Sequence, residues 1–536
     1  MKTKIFIASF LFFPLMLFSF DMILTGDPII DDIRFISLET GKPFLSFSPP
    51  LAPAEVQIFV QRFIDLIDEQ TLSHPARQAF YRVQKRLSPV SRISYSDDIF
   101  SLLMDINAAF EGKARFNSNI SWYPRYPEIT PFIALPLRIS FADTVQIYVE
   151  PILAINRRAH LRGNATINIP FDYADVSHNL ALRAFAAAGG NWWNFQIGRD
   201  RLYWGTGRTG SLTFSDNSQY FDFARISFFS SRVKYSMTIN QLPLRLRRDL
   251  FEEGRFQPEW WQDQNNTNLV LNRYYYLHRL DIRLSNRLTI GLMEGIMTGN
   301  SQLQIRYLTP MVFHDLFAWN DYPRWEGKGD MVGSIASIEL NWHITNNLAS
   351  YAQFVMNEFT LPGETDGHPN ALGYMAGIQY TRSFNYWGAL FFLEFIYTDP
   401  YLNILSSPFA SFIQMDRQGN YYFIGYPRDT IALSAGGDFF SNMFNFSASF
   451  SWIASGYHNR DGIIWNWGNQ PENQNARTPT GTAEHRFILS LGAGWKPNDF
   501  LSLRANLAGI LSLNNGHKPG ETALGGQARL SVGFRY

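Results

Sequence analysis

Residues 527–536, at the end of the chain, read QARLSVGFRY and alternate between two kinds of side chain. The apolar letters A, L, V, F and Y stand at every second position, with Q, R, S, G and R between them. A period of two predicts a β-strand with one apolar and one polar face. Residues 444–452, FNFSASFSW, repeat the pattern. The same period continues from about residue 112 to the end, which predicts that this part of the chain is all-β.

About eighteen such segments, each near ten residues long, follow one another along the chain. This is the length that a tilted strand needs to cross a bilayer. We place the strands at roughly 112–122, 130–140, 145–155, 178–187, 191–203, 219–228, 232–241, 272–283, 287–298, 331–342, 348–358, 371–381, 386–397, 428–437, 443–452, 484–495, 500–512 and 523–536.

The connections between these segments alternate in length. FADT (141–144), HITNN (343–347) and KPND (496–499) are tight turns, whereas residues 299–330 and 453–483 are long segments. Short turns on one side and long loops on the other are typical of an outer-membrane barrel. Because hydrocarbon offers backbone groups no partner, only a closed barrel lets a sheet cross it. The predicted fold is therefore a transmembrane antiparallel β-barrel of about 18 strands in the outer membrane.

The N-terminal fifth of the chain has a different pattern. Residues 1–20 combine two lysines with an apolar stretch, which predicts a secretory signal peptide. Residues 21–111 are predicted to form a small, mainly helical unit on the periplasmic side, ahead of the barrel at 112–536. An even number of strands returns the C-terminus to the same side.

Three helices and a hairpin are predicted within this unit. Apolar residues recur at helical spacing in PAEVQIFVQRFIDLIDEQ (53–70), and a second helix is expected from Ser73 to Leu87. SDDIFSLLMDINAAF (96–110) is a third candidate helix, and IRFISLETGKPFLSF (33–47) is the candidate hairpin.

Composition excludes several classes of function. Lysine and arginine together number 46, as do aspartate and glutamate, so there is no basic surface for nucleic acid. The chain has no cysteine, which excludes disulfides, thiolate metal sites and a cysteine nucleophile. Neither H-E-x-x-H nor G-x-S-x-G occurs, so we predict no metal, no cofactor and no catalytic residues.

Residues 205–210, GTGRTG, match the dinucleotide fingerprint G-x-G-x-x-G. That fingerprint binds a nucleotide only when a helix follows it, and here an alternating strand follows instead. We therefore expect Gly205, Gly207 and Gly210 to serve turn geometry in an extracellular loop.

Aromatic residues next to planar polar groups suit sugar recognition. The extracellular loops combine the two, and they also have aromatic pairs that could pack as a plug over the barrel mouth. Aromatics at strand ends, such as Trp192, Trp204 and Trp342, fit interfacial girdles. The candidate glycan-binding residues are Tyr203, Trp204, Arg208, Asp216, Asn217, Trp260, Trp261, Trp319, Trp325, Trp465 and Trp467.

Charged residues in the polar phase of the strands are predicted to face the lumen. They either set an anion preference or pair with one another to fill the barrel. Glu294 falls instead in the apolar phase, which predicts a bulge there or a position beyond the hydrocarbon. The lumen charges are Arg115, Arg138, Lys234, Arg279, Asp281 and Arg283, with Glu339.

Three segments, in the same order along the chain, resemble the Wzi-type capsule-assembly outer-membrane proteins. They are GRDRLYWGTGRTGSLTFSDN (198–217), HRLDIRLSNRLTIGLMEGI (278–296) and IRYLTPMVFHDLFAWND (305–321). The resemblance covers mainly residues 190–330 and implies an eighteen-stranded barrel with a periplasmic helical element. It also implies a non-catalytic task, holding or organising capsular or surface polysaccharide. The matched positions are Gly198, Arg199, Arg201, Trp204, Gly205, Gly210, Tyr307 and Pro310.

Three functions remain open from the sequence. The first is a non-enzymatic barrel that binds or organises surface polysaccharide. The alternative is a porin-like channel for small solutes or sugars, in which lumen charges select. A barrel enzyme is a third reading without a motif to support it. The expected partners are outer-membrane lipid, surface or capsular polysaccharide and the barrel assembly machinery, since the aromatic Tyr536 ends an alternating strand.

Overall fold

A computed structural model of the chain describes residues 20–64, 72–88, 91, 93–117, 120, 129–160, 163–178, 181–215, 220–242, 244–247, 268–271, 273–299, 302–310, 332–359, 369–404, 411–412, 425–457 and 476–536. Nearly all of the predicted signal peptide lies outside these residues. Within them, no helix is both long enough and apolar enough to span a bilayer.

The N-terminal unit contains the helices α1 (Ile29–Thr40), α2 (Pro53–Val60) and α3 (His74–Leu87). Pro53 occupies the first turn of α2, where a missing N–H costs nothing. The Ser73 hydroxyl accepts the Ala76 N–H at 3.2 Å and so caps α3. A 3₁₀ turn, Gln61–Phe63, follows α2, and a short helix α4 (Arg157–His160) lies in a later loop. The helices predicted to start at 53 and 73 are confirmed.

The predicted hairpin at 33–47 is wrong, because most of its first half belongs to α1. Asp31 and Asp32 lie in the first turn of that helix, where carboxylates favour the positive end of the dipole. Gly41 ends the helix with φ 65°, and its N–H donates to the Leu38 carbonyl. The helical spacing of Ile29, Ile33 and Ile36 buries one face, and that period overrides the apparent alternation.

The third predicted helix, residues 96–110, is also wrong. Its place is taken by two strand segments and a tight turn, in which the Asp97 carboxylate accepts the N–H groups of Ile99 and Phe100 at 3.0 and 2.7 Å. The barrel consequently begins near Phe100 and not at residue 112.

Strands make up the rest of the described structure. They are β1 Ile93–Ser96, β2 Phe100–Met104, β3 Asn107–Phe116, β4 Ile133–Ala134, β5 Leu137–Phe141, β6 Val145–Leu153, β7 Ala165–Ile167, β8 Ala181–Gly189, β9 Trp193–Asp200, β10 Phe221–Phe229, β11 Val233–Gln241, β12 Leu244–Arg247, β13 Asn268–Leu271, β14 Arg273–Arg283, β15 Leu288–Gly299, β16 Val332–Thr345, β17 Leu348–Glu358, β18 Ala371–Phe384, β19 Trp387–Thr398, β20 Thr430–Phe440, β21 Phe444–Ser455, β22 Glu484–Trp495, β23 Leu501–Leu513 and β24 Thr522–Arg535.

These strands close into a ring of 18 antiparallel positions, as predicted. The sheet has 22 segments, of which β2 continues β3, β4 and β5 share one position, and β1 and β7 are short additions beside the ring. Closure comes from β24, which pairs with β3 from Arg535↔Asn107 to Gly526↔Phe116. Every predicted strand except the first agrees with the observed bounds to within three residues.

The N-terminal unit lies inside the barrel at the end where the turns are short, which we call the short-turn end. Leu38 in α1 accepts the Asn347 N–H of the β16–β17 turn at 2.7 Å, and Lys85 in α3 pairs with Asp499 of the β22–β23 turn at 2.9 Å. The opposite end is called the long-loop end. The chain's own N-terminus therefore occupies part of the lumen at the short-turn end.

Candidate functional site

The segment between β9 and β10, residues 201–215, turns into the lumen at the long-loop end. Trp204 bridges to Phe214 across this inward loop, and both side chains are fully buried. They pack with Tyr275, Tyr351 and other lumen-facing residues of β10 to β21 into one apolar cluster. We predicted that Trp204 lies in an interfacial girdle, and this is wrong. Trp204 lies at the centre of a core within the barrel.

The glycine hexad 205–210 forms the tip of the inward loop, and its backbone binds a carboxylate of the protein itself. The Glu394 carboxylate on β19 accepts the backbone N–H groups of Arg208 at 2.7 Å and Thr209 at 3.1 Å. It also accepts the Thr209 hydroxyl and the Tyr351 hydroxyl, the latter at 2.5 Å. Successive N–H groups in a glycine-rich turn form a concavity for anions. The anion here is a wall residue, so the hexad holds the loop in place.

Close approach of backbones explains two of the hexad's glycines. A Cβ on Gly207 would stand 2.2 Å from the Gly210 carbonyl oxygen, and one on Gly210 would stand 2.8 Å from the Gly425 Cα. Gly205 has φ 152°, which also favours glycine. The expected turn geometry is present, but the hexad lies inside the lumen and not in an exposed extracellular loop.

Arg208 joins the inward loop to both the N-terminal unit and the wall. Its guanidinium pairs with Asp31 of α1 at 2.8 Å and with Asp438 of β20 at 2.6 Å. The Gly205 N–H donates to the Phe47 carbonyl at 3.0 Å. The inward loop and the helical unit thus form one plug, which is bound to the barrel wall.

The other predicted lumen charges all face the interior, and most have partners there. Arg279 contacts Asp281 at 2.8 Å and Glu339 at 3.1 Å, in a fully buried triad. Lys234 pairs with Glu55 of α2, so this ion pair also connects wall and plug. Further lumen contacts are Arg138 with Asp105 and Asp21, Arg115 with Gln527, and Arg283 with the Pro43 and Ser231 carbonyls.

Of the aromatic glycan candidates, Tyr203 and Trp204 lie within the described residues. Tyr203 donates its hydroxyl to the Gly207 carbonyl at 2.7 Å and so braces the hexad. The remaining candidates lie outside the described residues, namely Asp216, Asn217, Trp260, Trp261, Trp319, Trp325, Trp465 and Trp467.

Glu294 has an unexpected environment on the outer surface of the barrel. The registers of β15 with β14 and β16 continue through it, so the predicted bulge is wrong. Glu294 is only 2% exposed, although the alternation along β15 places its side chain on the outer face of the barrel. It stands across from His278, whose ring nitrogens contact the Tyr235 hydroxyl and the Tyr307 carbonyl, both at 2.7 Å. A turn that carries Tyr307 thus covers a polar cluster on the wall.

Tyr307, one of the positions matched to the Wzi-type pattern, packs its ring on Tyr276 with centroids 5.3 Å apart. We expect Tyr307→Ala to lower the free energy of unfolding by about 3 kcal/mol, because a buried ring is lost beside a polar cluster that must stay covered. Ile305→Ala on the same turn is the control and should cost under about 0.5 kcal/mol, since Ile305 is 76% exposed. Urea unfolding followed by fluorescence measures both, and equal losses would contradict the covering role.

The fold and the direction of its side chains define the class of protein. A closed antiparallel barrel with aliphatic and aromatic residues outward and polar residues inward is an outer-membrane-type β-barrel. The sequence model of the family described as capsule assembly protein Wzi matches residues 134–413, and the chain belongs to this family. The resemblance seen in the sequence is thereby confirmed.

Comparison with solved structures agrees on the fold. The chain is similar to Escherichia coli Wzi, described as an outer membrane protein involved in group 1 capsule assembly and as a carbohydrate-binding β-barrel. Identity is 12%, the TM-score is 0.58, and 95% of this chain and 98% of that chain are covered. Pseudomonas aeruginosa OprD gives 9% identity and a TM-score of 0.40 over 81% and 95% of the chains, too low to support an argument. No curated protein sequence matches the chain.

Proposed function

We propose that this protein is a non-catalytic outer-membrane barrel that binds or organises surface polysaccharide at the cell exterior. The observation that carries the proposal is the plug, since an apolar core around Trp204 and an α-helical unit occupy the lumen where a porin would hold water. Membership of the Wzi family supports the same conclusion, as does the carbohydrate binding stated for the E. coli protein.

The proposed orientation puts the short-turn end in the periplasm and the long loops outside the cell. In this arrangement residues 1–20 act as the export signal, and the rest of the N-terminal unit enters the barrel from the periplasmic side. Outer-membrane lipid surrounds the outward aromatic and aliphatic side chains, and the assembly machinery recognises the alternating strand β24.

Two measurements together test this function. Deletion of the protein from its host should reduce cell-associated polysaccharide and leave uptake of small nutrients unchanged. The purified native barrel should stay electrically closed in a planar bilayer. A robust conductance that sugars block would replace the proposal with the channel reading.

Glycan contact is expected on the tryptophans of the long loops. Replacing Trp465 and Trp467 with alanine should weaken binding on a glycan array about tenfold or more, because each ring offers a stacking face. Trp319→Ala with Trp325→Ala is the second such pair.

The matched control is Trp495→Ala, on the outward face of β22 at the short-turn end. It removes the same ring from a surface far from the long loops, so glycan binding should not change. Unaltered binding in both loop variants would place the glycan site elsewhere.

A further inference from the structure

One side of the lumen is lined by polar and charged side chains, and the plug is bound to this side at Asp438, which pairs with Arg208. The wall from β20 to β24, together with β3, brings six residues into one row across its registers. The opposite wall carries Tyr275 and Tyr351 at its lumen positions and packs against the inward loop. Three residues of this row have short side chains or none, and we call the lumen space in front of the row the open chamber. The row is Asp438, Ser447, Gly492, Asn506, Arg529 and Lys113.

Solvent reaches the open chamber although it lies within the barrel. Ser447 and Asn506 are exposed on the lumen face, as is Arg504 one step nearer the short-turn end. Asp31 at the start of α1 shares the Arg208 guanidinium with Asp438 of the row, and its side chain is 71% exposed. The chamber is therefore accessible to solvent and is not a packed interior.

The chamber is closed toward the long-loop end. Above its small polar residues the same strands place Ile453 and Ile510 in the lumen, at 2% and 1% exposure, with Ile488 packed beside them. A buried pair, Arg486 with Glu484 at 2.8 Å, completes this layer. Exposure rises again only toward Arg504, so the entrance is at the short-turn end.

Positive charge is concentrated on one side of the chamber. Lys113, Arg115 and Arg529 meet there on β3 and β24, and Arg504 follows on β23. The one carboxylate that the described residues place among them is Glu111, 3.6 Å from Arg529. Asp438 and Asp31, on the far side, are paired with Arg208.

His160 lies next to these charges, with its Nε2 atom 3.3 Å from the Lys113 ammonium. Burial first, and then the charges of Lys113, Arg529 and Arg115, lower the pKa of its imidazole to about 3. Arg504 forms no ion pair with any carboxylate in the described part of the chain, and it is accessible to a ligand.

We propose that the open chamber is a second binding site, entered from the short-turn end, for a carboxylate-bearing segment of a glycan. Arginine binds carboxylate groups in a fork geometry, and serine and asparagine offer the hydrogen bonds that sugar hydroxyls need. The Phe392 ring on the adjoining strand β19 lies over Gly436, where a Cβ would approach it to 2.6 Å, and the Arg208 guanidinium lies 5.7 Å from its centroid, so this ring bounds the chamber on the β19 side. The inference rests on the proposed function only in taking a glycan as ligand.

A single cysteine tests access, because the chain has none of its own. Asn506→Cys in the full-length purified barrel should react with methanethiosulfonates at least about tenfold faster than Ile510→Cys in the closing layer. The anionic sulfonatoethyl reagent should react faster than the cationic trimethylammonium reagent, because the local potential is positive. Asp143→Cys, in the exposed β5–β6 turn, corrects for the intrinsic rates of the two reagents.

Ligand binding is read from the same cysteine. Trigalacturonate at about millimolar concentration should slow labelling of Asn506→Cys about tenfold, whereas neutral maltotriose should not. Adding Arg504→Gln should remove most of this protection and the preference for the anionic reagent. Arg232→Gln, which removes an exposed arginine from the β10–β11 turn, is the matched control and should change neither.

Each contrary result would refute a defined part of the proposed chamber site. An unreactive Asn506→Cys would mean that the chamber is closed, and equal protection by maltotriose would remove the role of charge. Protection that survives Arg504→Gln, or no protection at all, would refute the site. None of these outcomes bears on loss of cell-surface polysaccharide on deletion, so the proposed function fails or stands separately.

Discussion

Glu394→Ala is expected to turn the closed barrel into one that conducts ions. The carboxylate holds four donors of the inward loop and wall, among them the Arg208 and Thr209 N–H groups. Without it these donors are left buried and unsatisfied, at about 1–3 kcal/mol each, so we expect a loss of about 4 kcal/mol in unfolding free energy and a loop that leaves its seat. Current recordings in planar bilayers should show openings that the native protein lacks.

Glu521→Ala is the control for this experiment. Glu521 is a half-exposed carboxylate in the β23–β24 loop whose partner, Lys518, lies 3.3 Å away on the surface. Its removal should change stability by less than about 1 kcal/mol and leave the barrel closed. If Glu394→Ala also stayed closed, with a native unfolding midpoint, the inward loop would be held by its apolar core alone.

Glu55→Leu is expected to destabilise the protein by about 3–5 kcal/mol, because it leaves the Lys234 ammonium buried without its counter-charge. The side chains of the pair are 6% and 1% exposed, and the ammonium also donates to the Ser48 hydroxyl at 3.0 Å. The double variant Glu55→Leu with Lys234→Met should recover the part of the loss that comes from the unpaired ammonium. The Ala52 N–H, which the Glu55 carboxylate accepts at 3.0 Å, stays without this partner in both variants. Urea unfolding of all three proteins gives the coupling free energy.

The comparison pair for this cycle is Lys85 with Asp499, which also joins the helical unit to the barrel. Both of its side chains are more than 70% exposed, so Lys85→Ala should cost less than about 1 kcal/mol. A similar loss at both pairs would mean that any plug contact matters equally and that burial of Lys234 is not the cause.

Sequence alone predicts the barrel wall because its signal is local. The alternation of residues such as Leu530 and Val532 with Arg529 and Ser531 indicates which face meets lipid, and each strand carries its own copy of the pattern. The first strand is misplaced because β2 and β3 meet at Asp105 and Ile106, where the alternation breaks. The helical spacing in residues 96–110 then gave the wrong element.

The composition of the plug could not be predicted, because its contacts join residues far apart in the chain. Trp204 before a glycine loop looks the same in a sequence whether it lines a membrane interface or a core, and only the partners Phe214 and Tyr275 distinguish the two. Glu394 gave no signal in the sequence, because β19 is apolar in both phases and Leu390, Phe392 and Ile396 share the phase of Glu394. The open chamber was missed because small residues such as Gly492 and Ser447 carry no chemical motif.

The seam between β24 and β3 sets the order in which this molecule is assembled. The first wall strand can be joined only to the last, so the cylinder stays open until residues 526–535 have paired with β3. Residues 20–88 must by then have entered the interior, or must thread through the short-turn mouth afterwards. Either route leaves the apolar surfaces of α1 and of the inward loop without their final partners for a time. Biogenesis of this protein therefore requires something to shield the future contents of the barrel until the wall has closed around them.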